Sequence, residues 1–213
     1  MSESCANTAL ERMLRSLIDH EEEFRELDAS AGDGDLGITV RSTATALSEW
    51  LPQNSGGSTS ELLAGIAQVC ASTSPSTFAS LVSRGLSAAA KALEGQQRED
   101  LSSLVVALEA GIAMVQRRGG AVPGDKTFLD ALVPALEAAR TATSLTQALS
   151  LMRISAIAGT EQMVPVIPQH GRAAWVGERA RGVPDAGSVV VIRALEALDG
   201  TGGQPWDGNT ARQ

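Results

Sequence analysis

An all-α fold is predicted by three features of this 213-residue chain: its residue usage, the period of its apolar positions and the brevity of its connections. Hydrophobic residues make up 43%, enough for a core, yet aromatics contribute only 3% and tyrosine is absent. Alanine and leucine dominate instead; these favour helices, whereas sheets favour β-branched and aromatic residues. Apolar positions recur at intervals of three and four over most of the length. The breaks between these stretches are mostly short, which favours antiparallel neighbours. The expected architecture is an up-and-down antiparallel barrel or bundle of about eight helices.

In chain order, Leu10, Met13, Leu14, Leu17 and Ile18 share one face of a helix expected over 6–27. The segment DASAGDGDLG (28–37) interrupts it with three glycines and three aspartates. A second helix is expected over 38–51, ending before the turn that begins at Pro52. Ser58 and Glu61 have capping-box spacing and open a third helix, through about Cys70. The polar run STSPS (72–76) separates it from an Ala/Leu-rich helix over 77–94. Asp100 caps the next helix, whose stripe is Leu101, Leu104, Val105, Leu108, Ile112 and Val115.

RRGGAVPGD (117–125) is a glycine-rich connection. Asp125 is read as the cap of a helix with Phe128, Leu129, Leu132, Val133 and Leu136 on one side. Thr143 or Ser144 opens another, with Leu145, Leu149 and Met152 facing inward. The stretch 164–187 reads as irregular, and a last helix is expected over 187–198. SVVVIRAL (188–195) is β-branched enough to suit a strand, but a single strand has nothing to pair with. Residues 1–199 read as one domain, and 200–213, with Trp206, as a flexible tail of disorder-prone composition.

The net charge of −8 and pI of about 4.8 argue against a nucleic-acid partner, which calls for a basic stripe. An acidic protein repels free polyphosphate and needs a metal or local basic groups to hold one. Cys5 and Cys70 match no metal or redox spacing, so a reduced setting is expected. No run suits a membrane span and the N-terminus has no apolar leader pattern; a cytoplasmic protein that does not engage membranes is expected.

Four segments could carry chemistry. Asp28, Asp33 and Asp35 lie within eight residues on a glycine-containing loop. Carboxylates so grouped suit magnesium, which bridges protein carboxylates to phosphates; the same residues also suit a polar helix–helix turn. No EF-hand fits, because Ala44 stands where a loop beginning at Asp33 needs a glutamate. Ser72-Thr73-Ser74, read as lying ahead of a helix, could cradle phosphate or merely cap. Gly119 to Phe128 superficially resembles a phosphate loop, but Asp125 intrudes before Lys126 and no strand precedes it. Arg172, Arg179 and Arg181 could grip phosphates or be solvated; His170 precedes the first of them.

The order and spacing of these segments resemble the nucleotide-binding L subunit, or L domain, of the dihydroxyacetone kinases. The resemblance rests on Asp28, Asp33, Asp35 and Gly37 (Asp-x4-Asp-x-Asp-x-Gly) and on Pro123 to Leu132 (Pro-Gly-Asp-Lys-Thr-hydrophobe-x-Asp-Ala-Leu). It continues through Gly171 to Arg179 and Asp185-Ala186-Gly187, and spans about residues 8 to 198. It implies a barrel of eight helices with a nucleotide, ADP or ATP, in the loops at one end. It further implies two Mg2+ ions on Asp28, Asp33 and Asp35. Leu36, Gly37, Ile38, Thr39, Thr73 and Ser74 would contact phosphates. Gly120 and Phe128 would line the base pocket, and Arg172 with Asp185, Ala186 and Gly187 would complete the site. The implied activity is phosphate transfer to a small hydroxyketone held on a partner K subunit, from ATP or from a phosphotransfer-system partner through bound ADP. The resemblance leaves room for a homodimer, and for a non-catalytic nucleotide sensor. Leu36, the glycine-free Ser72–Ala79 stretch with Pro75, and Ala186 depart from the family pattern.

Overall fold

The structure is a computed structural model that describes residues 3–96 and 100–201, with side chains from residue 8 onward. The Cys5 side chain, residues 202–213 of the expected tail and Trp206 lie outside the described residues. Among those described there are ten α-helices, a short 3-10 helix and no strand. They are α1 (Glu3–Asp19), α2 (Glu21–Ala31), α3 (Leu36–Asn54), α4 (Thr59–Thr73), α5 (Thr77–Ala92), α6 (Leu101–Gly119) and α7 (Leu129–Thr141). After them come α8 (Leu145–Met163), α9 (Gly171–Val176), the 3-10 turn Gly177–Ala180 and α10 (Ala186–Asp199).

Eight of the helices form a closed ring in which each touches the next: α1, α3, α4, α5, α6, α7, α8, α10 and back to α1. These are the eight expected from the periodicity. The two extra helices and the 3-10 turn sit off the ring: α2 leans on α3 and α10, while α9 and the turn lean on α2. The expected single helix over 6–27 is broken at His20 (φ −95°, ψ 15°). Leu10 to Ile18 pack toward α3, α4 and α5, whereas Phe24, fully buried, packs with Leu36, Val189 and Val190. One straight helix cannot aim at both clusters, so the axis changes between them.

Other boundaries move for local reasons. α2 runs on to Ala31, which places Asp28 on a helix and leaves only 32–35 as the break. α4 extends to Thr73, because Ser72 and Thr73 hydroxyls donate back to the Val69 carbonyl (3.1 and 2.7 Å). Ser76, beyond Pro75, then caps α5 by accepting from the Ala79 amide at 3.0 Å. Ser72-Thr73-Ser74 therefore closes a helix and does not precede one. The Ser58–Glu61 capping box, the Asp100 cap and the Ser144 cap form as expected. The β-branched run 188–195 is helical, buried on nearly every face in the centre of the fold.

The core explains the composition. α7, α8 and α10 meet through Ala131, Ala135, Ala139, Ala148 and Ala156, all fully buried. Small side chains let helix axes approach closely; at Gly159 even one added Cβ would overlap the Asp130 carbonyl oxygen. Arg12 closes the ring by donating to the Ala197 and Leu198 carbonyls (2.6 and 3.2 Å) at the C-terminal end of α10, where helix carbonyls want donors. Buried Cys70 has its thiol pushed up to about 11 by burial, which leaves it unreactive. None of the described helices is long and apolar enough to cross a membrane.

Candidate metal centre

Asp28 stands on the last turn of α2, and Asp33 and Asp35 on the tight connection to α3. Gly34, at φ +78°, makes that connection possible. The three carboxylates each offer an oxygen within 4.8 Å of the others. Oxygens on one magnesium lie at most about 4.2 Å apart, twice its usual bond length. The cluster is thus of the order of one ion's reach. Asp28 also accepts the Leu36 amide through Oδ2 at 3.1 Å, which ties the cluster to the N-terminus of α3. A helix N-terminus leaves its first amides without acceptors inside the helix and favours anions nearby.

Asp33 and Asp35 side chains are about half exposed (48% and 50%), so an ion and its phosphate ligands could reach them from solvent. Burial, and then the neighbouring Asp28 charge, raise the Asp35 carboxyl above its ordinary range. Arg172, from α9, pairs with Asp33 and reaches Asp35 Oδ2 at 2.8 Å. The arginine expected to grip phosphate thus lies against the aspartates across 137 residues of sequence.

The remaining expected residues divide into those near this end and those used otherwise. Leu36 turns its side chain into the core with Phe24, Val40 and Ala186, so it offers the site only backbone. Gly37 is a packing residue: a Cβ there would overlap the Glu21 carbonyl and lie 2.9 Å from the Arg25 Cβ. Ile38 is exposed on the same turn, and the buried Thr39 hydroxyl is 3.4 Å from that of Ser74. The Thr73 hydroxyl is taken by Val69. Gly120, at φ +72°, ends α6, and Ala121 beside it packs with Phe128. Phe128 is buried edge-on against Phe78, centroids 5.4 Å apart. Gly187 lies against both residues: an added Cβ would be 3.3 Å from the Phe128 Cβ and 3.3 Å from the Phe78 ring. Asp185 caps α10, accepting from the Ser188 amide and hydroxyl (2.7 and 3.0 Å), and burial pushes its carboxyl up to about 6. Leu36 and Ala186 share a core cluster, so the starts of α3 and α10 adjoin.

Several residues were missed by sequence reasoning. Asp125 is not the cap of α7. Its carboxylate accepts from the Val122 amide at 2.7 Å and contacts His170 Nε2 at 2.9 Å. Asp130, in the first turn of α7, instead reaches back to hold the preceding connection, accepting from the Gly124 and Thr127 amides (2.5 and 2.8 Å), and α7 has no side-chain cap. Lys126, only 3% exposed, is turned from solvent toward the Val164, Val166 and Ala180 carbonyls. The expected irregular stretch 164–187 holds α9 and the 3-10 turn. The sole sequence signal for these roles was the Pro-Gly-Asp-Lys-Thr run itself.

Fold and site together define an all-helical ring domain with a carboxylate cluster at one helix start. Residues 30–200 match the DAK2 domain, and the chain belongs to that family, the L-type domain of the dihydroxyacetone kinases. It is 32% identical over 210 residues to L-erythrulose 1-kinase of Mycolicibacterium smegmatis, covering 92% of this chain and 36% of that protein. It is 32% identical over 194 residues to human triokinase/FMN cyclase, covering 89% and 33% respectively. The crystal structure of the dihydroxyacetone kinase of C. freundii matches with a TM-score of 0.75 at 26% identity, over 95% of this chain and 35% of that one. The same enzyme in complex with AMP-PNP and Mg2+ matches with a TM-score of 0.74 at 25% identity, over 95% and 34%. The chain thus spans about a third of the length of the curated relatives it matches.

Proposed function

We propose that this chain is the Mg2+·nucleotide-binding subunit of a dihydroxyacetone-type kinase, working with a K-type partner that holds a small hydroxyketone or related sugar. The observation that carries the reading is the convergence of Asp28, Asp33 and Asp35 at the start of α3. Their oxygen-only donor set suits magnesium, and two ions on it are part of the proposal. The relatives are kinases of small sugars three times as long, which supports a substrate site outside this chain. The AMP-PNP and Mg2+ bound by the C. freundii enzyme support ATP or ADP as the ligand. When bound, the ions would neutralise phosphate charge, the main requirement of phosphoryl transfer.

The chain's own residues would orient the phosphates. The α3 amides at Gly37 and Ile38 would face them, and Arg172 would add a planar donor fork. Ser74 is held near Thr39 and could add a hydroxyl. The phosphate source, ATP or a phosphotransfer-system partner acting through bound ADP, is a further part of the proposal. Asp33→Ala and Asp35→Ala are expected to weaken Mg2+-dependent ADP binding more than about 100-fold, beyond what outer partners of metal ligands cost. Both side chains are half exposed, so thermal unfolding should change little. Calorimetric titration with Mg2+·ADP measures this, and unchanged affinity would sink the metal-bridge reading.

A second reading, a nucleotide-sensing module without turnover, is favoured by one observation. The Ser72–Ser74 segment ends a helix with its threonine hydroxyl engaged, and Pro75 follows without an amide to donate. Binding without phosphate transfer to ketoses, in the presence of a K-type partner, would select it.

A further inference from the structure

Lys126 is the buried cation that neither the aspartate site nor the helical ring uses. Its Nζ donates three hydrogen bonds, to the carbonyls of Val164 (3.0 Å), Val166 (2.9 Å) and Ala180 (2.8 Å). An ammonium has three protons and no acceptor, so this arrangement uses all of them. An arginine fork, planar and longer, does not match three converging carbonyls. Its backbone sits at φ +59°, a conformation that side-chain-bearing residues seldom adopt. Burial lowers its pKa, and the nearby Asp185 charge acts in the other direction.

The three carbonyls come from the two ends of one excursion. Val164 and Val166 lead into it from α8, and Ala180 ends the 3-10 turn that leads out. The Gly182 amide donates to the Val164 carbonyl at 2.9 Å and shuts the base. Between the ends stands α9, with Arg172 against Asp33 and Asp35. Further up, the Gln169 amide donates to the Asp125 carbonyl at 3.0 Å, and His170 meets the Asp125 carboxylate. Both anchors, Asp125 and Lys126, are neighbours in the run that sequence reading compared with a phosphate loop. That run grips another loop.

We propose that Lys126 is a positioning residue: it fixes the base of the 164–182 loop and thereby holds Arg172 at the aspartate cluster. Only the affinity arm of the test rests on the metal–nucleotide reading. Lys126→Met keeps the length and removes all three donors; Lys126→Gln keeps two amide protons and is the variant to use if the first does not fold. Hydrogen exchange should show lost protection over 167–176 while α7 and α8 stay protected. Unchanged protection over 167–176 would overturn the proposal, as would a uniform loss over the whole chain in both variants.

In the affinity arm, Lys126→Met should weaken Mg2+·ADP binding by about tenfold or more, and by little further when added to Arg172→Ala, since residues acting through one group are non-additive. Full additivity would overturn the link to Arg172. Wild-type protein that binds no Mg2+·ADP would refute the functional reading, and the exchange arm would still decide what Lys126 does.

Discussion

Arg193→Ala is expected to lower the unfolding free energy by about 3–5 kcal/mol, the usual cost of removing one partner from a buried ion pair. Arg193 is 1% exposed in the middle of α10. Its Nε and Nη2 donate to Glu23 of α2 (2.8 and 2.6 Å), and its Nη1 donates to Glu196 at 2.7 Å. The two glutamates hold its pKa up against the opposing effect of burial. Truncation removes the cation from two largely buried carboxylates and opens a cavity. It also frees α2, the helix that carries Asp28, so weaker metal binding should accompany the lost stability. Urea unfolding monitored by circular dichroism gives the first quantity. A loss below about 1 kcal/mol would mean that the buried cluster contributes no more than an exposed pair.

Gly37→Ala should cost about 3 kcal/mol, although alanine is the better helix former by about 1 kcal/mol. The added methyl has nowhere to go: the Glu21 carbonyl occupies its place, and the Arg25 amide nitrogen would lie 3.0 Å away. Both are backbone atoms of α2, so relief requires the start of α3 to move off α2. That motion separates Asp28 from Asp33 and Asp35, which depend on the same crossing. The expected result is a joint loss of stability and Mg2+-dependent binding, read by thermal unfolding and calorimetry. A stabilised variant would show that the crossing has slack.

Gly37 illustrates what the sequence discloses and what it hides. The spacing of Asp28, Asp33, Asp35 and Gly37 was enough to identify the segment, and the eight long helices were legible from apolar periodicity. The reason for the glycine was not, because it lies in a contact with Glu21 and Arg25 that no local pattern encodes. Lys126 shows the same limit: its partners are 38 to 54 residues away. The misplacement of Ser72-Thr73-Ser74 had a different cause. Serine and threonine cap helix starts, but here their hydroxyls bond back to Val69 and prolong a helix, so residue type alone did not separate the two uses. The break at His20 was invisible because the apolar period runs through it, and only the separate destinations of Leu14 and Phe24 require a bend.

The same distinction applies to the aspartates, whose proximity in sequence suited either a turn or a metal. Their convergence with one another and with Arg172 is the geometric fact from which metal-bridged nucleotide binding is argued. The most direct test is calorimetric titration of the wild-type chain with ADP, first in excess Mg2+ and then after its removal by EDTA. The account predicts saturable binding with magnesium and its loss without. Equal affinity under both conditions, or none under either, would contradict it.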